Sequence, residues 1–469
     1  MTHPMGAETD SPLWQLPATT LARRFADGSL QPSMVLEAIL ARTDTIDAAL
    51  NVMALRDDEG ARAMAGASDR RWAEGRPLSE LDGVPIAIKD NIPVAGLPCA
   101  WGSKLFLDFV PERDELAVDR LRRQGLVLLG KTTVSEFTLG RGNVDTPAFG
   151  TTRNPWNPAL TTGASTGGGA AAVASGVAPF GLGTDGGGSI RWPASYCGLV
   201  GFKPSTGRIP RRFGLPAVLN DLEVLSPISR TVDDAAALLQ ALSEPDVHDR
   251  ASMAFRHTAL VEEPARPLRI LHVSQFGNYP VEPEITASVN LAADQLRAMG
   301  HRVEAGTAPF DFGLFDRHWR TITMTGVAAI MDGRENWENE VGAIYPSMVA
   351  DGRAFSSRDY LAALNAYRSV FEQLTDFFED FDLLLTPVAG AMPRPANEIA
   401  PPYQRVFTGF ANVTGIPAVS LPGPRSHAGI PIGFQLIAPF GGEGRLLTIA
   451  RAYEHAHPWA GLWPSLNAS

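Results

Sequence analysis

At 469 residues, with 45% hydrophobic and 19% charged side chains, the sequence has ordinary globular composition and enough length to bury a large core without staples. A net charge of −11, with no basic run beyond pairs such as Arg122-Arg123 and Arg211-Arg212, argues against nucleic acid, because holding phosphates takes clustered Lys and Arg. No apolar run approaches the ~20 residues of a membrane span, and residues 1–13 lack the basic-then-apolar order of a leader. No His/Cys spacing suits zinc, and two cysteines, Cys99 and Cys197, fit a reducing, cytoplasmic setting.

In chain order, residues 18–75 read as helices, with Ser33 capping a segment whose Val35, Leu36, Ile39 and Leu40 share one face. Residues 84–89 are a short apolar run ending in a charge, as strands do at a site. Residues 114–124 follow as a helix and 126–129 as a buried strand. Residues 150–210 are rich in Gly, Ala and Ser, but helix-favouring Ala170 to Ala174 and core-forming Phe180, Ile190, Trp192 and Leu199 argue against a linker. Thr231 and Asp234 have capping-box spacing. Strands are expected at 268–273, 383–385, 418–421 and 433–437, and helices at 284–299 and 357–381. The alternation predicts an α/β fold in one large domain over 1–469. Within it, 1–75 is a helical segment, 76–310 and 385–469 the core, and 310–385 a variable substrate-side region.

Three motif matches fail in context. Gly125-Leu-Val-Leu-Leu-Gly130-Lys131-Thr132 fits a phosphate loop, but its middle residues are the strand itself. Gly181-Leu-Gly183-Thr-Asp-Gly186 fits a dinucleotide fingerprint, but Pro193 stops a long helix and the acidic residue ~20 positions on is missing. Gly163-Ala-Ser165-Thr-Gly167 fits a nucleophile elbow, but the residues before it hold two prolines and little strand character.

Three segments carry chemistry. Lys89 ends an apolar strand, where poor solvation disfavours its charge and frees it to act as a base; a salt bridge with Asp90 is the plain alternative. Ser165 precedes a run of alanines and could be a simple N-cap. Ser189 follows three glycines, whose N–H groups can converge as a nest for an oxyanion or form only a flexible turn.

Taken together, Pro85-Ile-Ala-Ile-Lys89-Asp90-Asn91, Gly163-Ala-Ser165-Thr166-Gly-Gly-Gly and Gly183-Thr-Asp185-Gly186-Gly187-Gly188-Ser189-Ile190-Arg191 resemble the amidase signature family of serine hydrolases. The likeness continues through Gly198-Leu-Val-Gly-Phe-Lys-Pro204, Asn412-Val-Thr-Gly-Ile-Pro417 and Gly429-Ile-Pro-Ile-Gly-Phe-Gln435, spanning about residues 20 to 455. It implies an α/β/α domain around a large mixed sheet. By position, Ser189 is the expected nucleophile, Ser165 the bridging serine after a cis peptide bond, and Lys89 the base. Gly186, Gly187 and Gly188, with the N–H of Ser189, are the expected oxyanion hole, and Asp185 and Arg191 its supports. No cofactor and no metal are implied, and the expected partner is a small amide-like molecule. Neither nucleic acid nor membrane is expected, while a homodimer is one assembly left open.

Ala164, Thr166 and Gly169 depart from the usual glycine-serine block without replacing a triad member. Glu223 stands where many relatives carry aspartate, which weighs against the amidotransferase subunit the family also contains. Amides, aryl acylamides, carbamates and ureas are all substrates the resemblance implies. Residues 97–109, 141–146, 209–218 and 310–345 are expected to line the pocket, and their Trp101, Phe106, Phe213, Trp319 and Trp337 point to a neutral, partly aromatic substrate, or else are ordinary core. The alternative is an amidotransferase-type or non-catalytic component of a complex.

Overall fold

The computed structural model of the chain describes residues 11–140, 142–216 and 218–466; the expectations on residues 1–10, Arg141 and Ala217 fall outside these. Eleven strands form one mixed sheet. In chain order they are β1 (Met53–Arg56), β2 (Pro85–Lys89), β3 (Val127–Thr132), β4 (Phe180–Asp185), β5 (Val200–Lys203), β6 (Val224–Ser229), β7 (Arg269–His272), β8 (Arg302–Ala305), β9 (Leu383–Pro387), β10 (Ala418–Pro422) and β11 (Gly433–Ile437). Across the sheet they run β1-β3-β2-β4-β6-β5-β10-β11-β9-β7-β8. The flanking sets β3-β2-β4 and β9-β7-β8 are parallel, and the centre is antiparallel.

Alternation along the strands shows why the sheet is covered on both faces. Leu383 and Leu385 of β9 join one apolar cluster while Leu384 joins another. Val419 and Leu421 of β10 likewise separate from Ala418. Period-two side chains point to opposite faces, so both sides carry packed helices. The helix Glu443–Ala456 sends Leu446, Leu447, Ala450 and Tyr453 into the first cluster, and Ser357–Asp380 sends Tyr367, Val370 and Leu374 into the second. No helix among the described residues is long and apolar enough to cross a membrane.

Two caps differ from expectation. The helix Pro32–Leu50 starts after Gln31, and Ser33, already inside it, gives its amide to Asp69 instead of capping. Thr231 does cap Val232–Leu242, but the Asp234 carboxylate does not reach back. It accepts from the amides of Ala18 and Thr19 and from the Thr19 hydroxyl, tying the start of the short helix Ala18–Ala26 to the core. A full capping box instead starts Ser357–Asp380, between Ser356 and Asp359.

β2 and β4 are parallel neighbours with Ile88 opposite Leu182. Their carboxyl ends therefore deliver Lys89 and the pair Thr184-Asp185 to one edge of the sheet, the usual place for a site in α/β folds.

Candidate active site

Lys89 is fully buried at the end of β2. Its Nζ lies 2.8 Å from Ser165 Oγ, 2.8 Å from Thr184 Oγ1 and 3.1 Å from the Thr184 carbonyl oxygen. Asp90 does not pair with it and faces Lys131 at 3.7 Å. Burial lowers the Lys89 pKa to about 7, opposed by the charges of Glu223 and Asp185 and assisted by Arg211. The phosphate-loop match is thereby closed as well. Lys131 is buried within β3 and donates to the Ile92 carbonyl at 2.6 Å.

Ser165 follows a cis Ala164–Ser165 peptide bond. The helix Gly167–Ser175 takes Thr166 as its N-cap, so Ser165 is not that cap. The Thr166 amide donates to the Ser189 carbonyl at 3.1 Å, and its hydroxyl donates to the Thr184 carbonyl at 3.1 Å. These bonds hold the Ser165 segment against the glycine loop.

That loop is organised from within by Asp185. Its carboxylate accepts from the amides of Gly188 (2.7 Å) and Ile190 (3.2 Å) and from Nε (3.0 Å) and Nη2 (3.1 Å) of Arg191. Burial alone raises its pKa, but the Arg191 charge and these donors overcome that and hold the carboxyl well below the usual range. One expectation is corrected here. The Gly188 N–H is committed to Asp185, which leaves Gly186, Gly187 and Ser189 as the loop's candidate oxyanion donors.

Arg191 also donates to Asn412 Oδ1 (2.7 Å) and Gln435 Oε1 (3.0 Å), and the Thr408 hydroxyl donates to the Gly187 carbonyl (2.6 Å). Thr184, Asn412, Gln435 and Thr408 contact the candidate site and were given no role by sequence reasoning. Asn412 and Gln435 lie inside segments already recognised as similar, which was the available signal.

Ser189 is half-buried on the wall of a cavity of about 510 Å³, within the range of small-molecule sites. Trp192, Leu219, Trp319, Met324, Met348 and Ile399 make much of its lining apolar. Of the five aromatics expected there, only Trp319 is present. Trp337 is core, Trp101 and Phe106 pack around Phe137, and Phe213 is exposed between Arg113 and Arg212. Residues 399–405, which no sequence signal marked, supply one wall, and the helices Phe312–Met331 and Tyr345–Ala354 another. Arg320 and Asp351 at its edge pair with each other, and Arg405 pairs with Asp316.

A mixed sheet of this order, presenting a buried lysine on a serine beside a glycine nest, defines an enzyme acting on carbon–nitrogen bonds. The Amidase family profile matches residues 34–447, and the chain belongs to that family. The A-type chain of the glutamyl-tRNA(Gln) amidotransferase from Synechococcus sp. (strain RCC307) is 33% identical over 97% of each chain. Among solved structures, 6-aminohexanoate cyclic dimer hydrolase superposes with a TM-score of 0.87 at 29% identity, over 97% of this chain and 99% of that one. A bacterial aryl acylamidase does so with 0.87 at 27% identity, over 96% and 98%.

Proposed function

We propose that this chain hydrolyses a small, neutral, partly apolar amide, with Ser189 as nucleophile, Ser165 as bridge and Lys89 as base. The observation that carries this is the Lys89–Ser165 contact of 2.8 Å made by an amine too buried to hold its proton firmly at neutral pH. Neutral Lys89 takes the Ser165 proton as Ser165 takes that of Ser189, and Ser189 Oγ adds to the carbonyl. The N–H groups of Gly187 and Ser189, with Gly186, receive the developing oxyanion, where one donor is typically worth ~10²–10³ in rate. The proton passes back to the leaving amine, and water cleaves the acyl-serine by the same route reversed. The balance closes without a cofactor or a metal. We place the activity in the cytoplasm, in keeping with two buried, unpaired cysteines.

The identity to an amidotransferase component favours a second reading, transfer of the amide nitrogen to an acceptor through partner chains. The cavity weighs against a zwitterionic donor such as glutamine. Its one acidic lining residue among those described, Asp351, is about half exposed at the edge and paired with Arg320, so the cavity offers an α-ammonium no buried carboxylate. Fluorophosphonate labelling with peptide mapping, followed by turnover of a nitroanilide and of glutamine by the isolated chain, tests both. Label on Ser189 with nitroanilide turnover supports hydrolysis. Label on Ser165, or ammonia release from glutamine alone, overturns this reading.

A further inference from the structure

From Thr184, which holds Lys89 Nζ, a chain of polar contacts leads to a partly exposed ion pair. Thr184 Oγ1 accepts from Asn91 Nδ2 at 3.1 Å, and the same Nδ2 lies 3.5 Å from Glu223 Oε1. Arg211 Nη1 donates to that Glu223 oxygen at 3.0 Å, while its Nε is held by Glu115 at 2.7 Å. Asn91 is fully packed, whereas the Glu223 and Arg211 side chains keep 14% and 26% of their exposure. All three line a second cavity of about 220 Å³, and Thr138 lines both this cavity and the one holding Ser189. The ion pair is thus open to solvent at one end and joined to the buried lysine at the other.

The contacts are few and each has a defined job. Asn91 is too buried to exchange partners with water, so it fixes Thr184 Oγ1 and relays the position of Glu223 inward. Glu115, on Arg211 Nε, stops the guanidinium from swinging away. From these contacts we propose that Glu223 and Arg211 are positioning residues that tune, through Asn91 and Thr184, the balance between charged and neutral Lys89. Neither lines the cavity that holds Ser189. Their opposite charges act on Lys89 in opposite senses, Glu223 favouring the ammonium and Arg211 the free amine. Asp185 also favours the ammonium, but Asp185 and Arg191 are both fully buried, so the charges facing Lys89 that keep contact with solvent are this pair.

The proposal rests on Lys89 being the base, and its test separates the two ideas. The rate of fluorophosphonate labelling of Ser189 is measured against pH for the wild-type chain, Glu223→Gln, Arg211→Gln and the double variant, with kcat/KM for a nitroanilide beside it. A structural role alone lowers rates without moving midpoints. Here the midpoint falls in Glu223→Gln by about half to one pH unit, rises in Arg211→Gln, and returns close to wild type in the double variant. Glu223→Asp, which keeps the charge, restores the wild-type midpoint. If Glu223→Gln does not fold, the upward shift in Arg211→Gln decides. Unmoved midpoints, or shifts of the same sign in both single variants, overturn the proposal. Failure of the wild-type Ser189 to label at all counts against the hydrolase reading instead.

Discussion

Lys89 Nζ meets Thr184 twice, at its hydroxyl oxygen (2.8 Å) and its carbonyl oxygen (3.1 Å), and meets Ser165 Oγ once, at 2.8 Å. A neutral amine has two N–H groups and one lone pair. If Thr184 takes both N–H groups, the lone pair is left pointing at the Ser165 hydroxyl, as a base requires. Thr184→Val keeps the shape and the carbonyl but removes the second acceptor. We expect a fall in kcat of about ten- to a hundredfold, the scale of one strong buried hydrogen bond, and recovery in Thr184→Ser. Steady-state kinetics on the three chains checks this; equal loss in Val and Ser variants would assign Thr184 to packing alone.

For Lys89 itself, an ordinary lysine with a pKa near 10.4 is almost wholly protonated at pH 7 and is no base. Burial brings Lys89 to about 7, so kcat/KM should rise with pH through that value and then level. Lys89→Ala should cut amide turnover by orders of magnitude and ester turnover by less, because an alkoxide needs less help from a proton donor than an amine does. Lys89→Arg should not rescue, since guanidinium does not give up its proton. Near-native amide turnover in Lys89→Arg would make Lys89 an electrostatic prop.

These two residues also show what the sequence could and could not reveal. Lys89 was legible because its environment is local: four buried residues before it in the same strand remove its solvent. Thr184 was not, because its role depends on β2 and β4 lying side by side, a pairing between residues 95 positions apart. The strands were likewise readable from apolar runs, whereas their order across the sheet is set by packing that leaves no periodicity. The cavity aromatics failed for a related reason. Trp101 and Trp337 have the composition of a pocket, but they are spent on a cluster around Phe137. The cavity wall at residues 399–405 is loop leading into a single 3-10 turn at Gln404–Phe407, with no long periodicity to read.

Asp185 holds the glycine loop by accepting from two of its amides and from Arg191, and Arg191 is braced in turn by Asn412 and Gln435. Asp185→Asn removes the charge and leaves a buried arginine without its counter-ion, a loss that typically costs about 3–5 kcal/mol. The expected result is a clear drop in thermal midpoint together with loss of Ser189 labelling. Asn412→Asp places a second carboxylate beside Asp185 and removes the Nδ2 donor to it, and should also lower both stability and labelling. Thermal melts and labelling rates on the two variants check this; a fully labelled Asp185→Asn chain would show that the loop keeps its shape without the anchor.

Lys203, like Lys131, is a buried lysine that the proposed chemistry does not use. It ends β5 fully buried, with its Nζ donating to the Pro204 carbonyl at 2.9 Å. Burial, then the Arg191 charge, lowers its pKa to about 7, against the pull of Asp185 and Glu443. The consequence for stability has a definite sign. In the unfolded chain Lys203 holds its proton up to about pH 10.4, while in the folded chain it releases it near 7. Between those values the unfolded state binds more protons, so stability rises with pH, and the cost of the buried charge is greatest below pH 7. Lys89 contributes in the same sense. Replacing Lys203 with Met removes one of these protons and keeps most of the volume. Lys203→Met should therefore be more stable than wild type at pH 7, and its advantage should shrink with rising pH, at a rate that approaches about 1.4 kcal/mol per pH unit once the pH is clear of the folded pKa. Comparing two chains cancels the thiols and tyrosines, whose pKa values burial raises in both. Denaturant unfolding at pH 7, 8 and 9 measures the difference directly. A gap that stays constant across those three values would mean that Lys203 keeps its proton in the folded chain, held by Asp185 and Glu443.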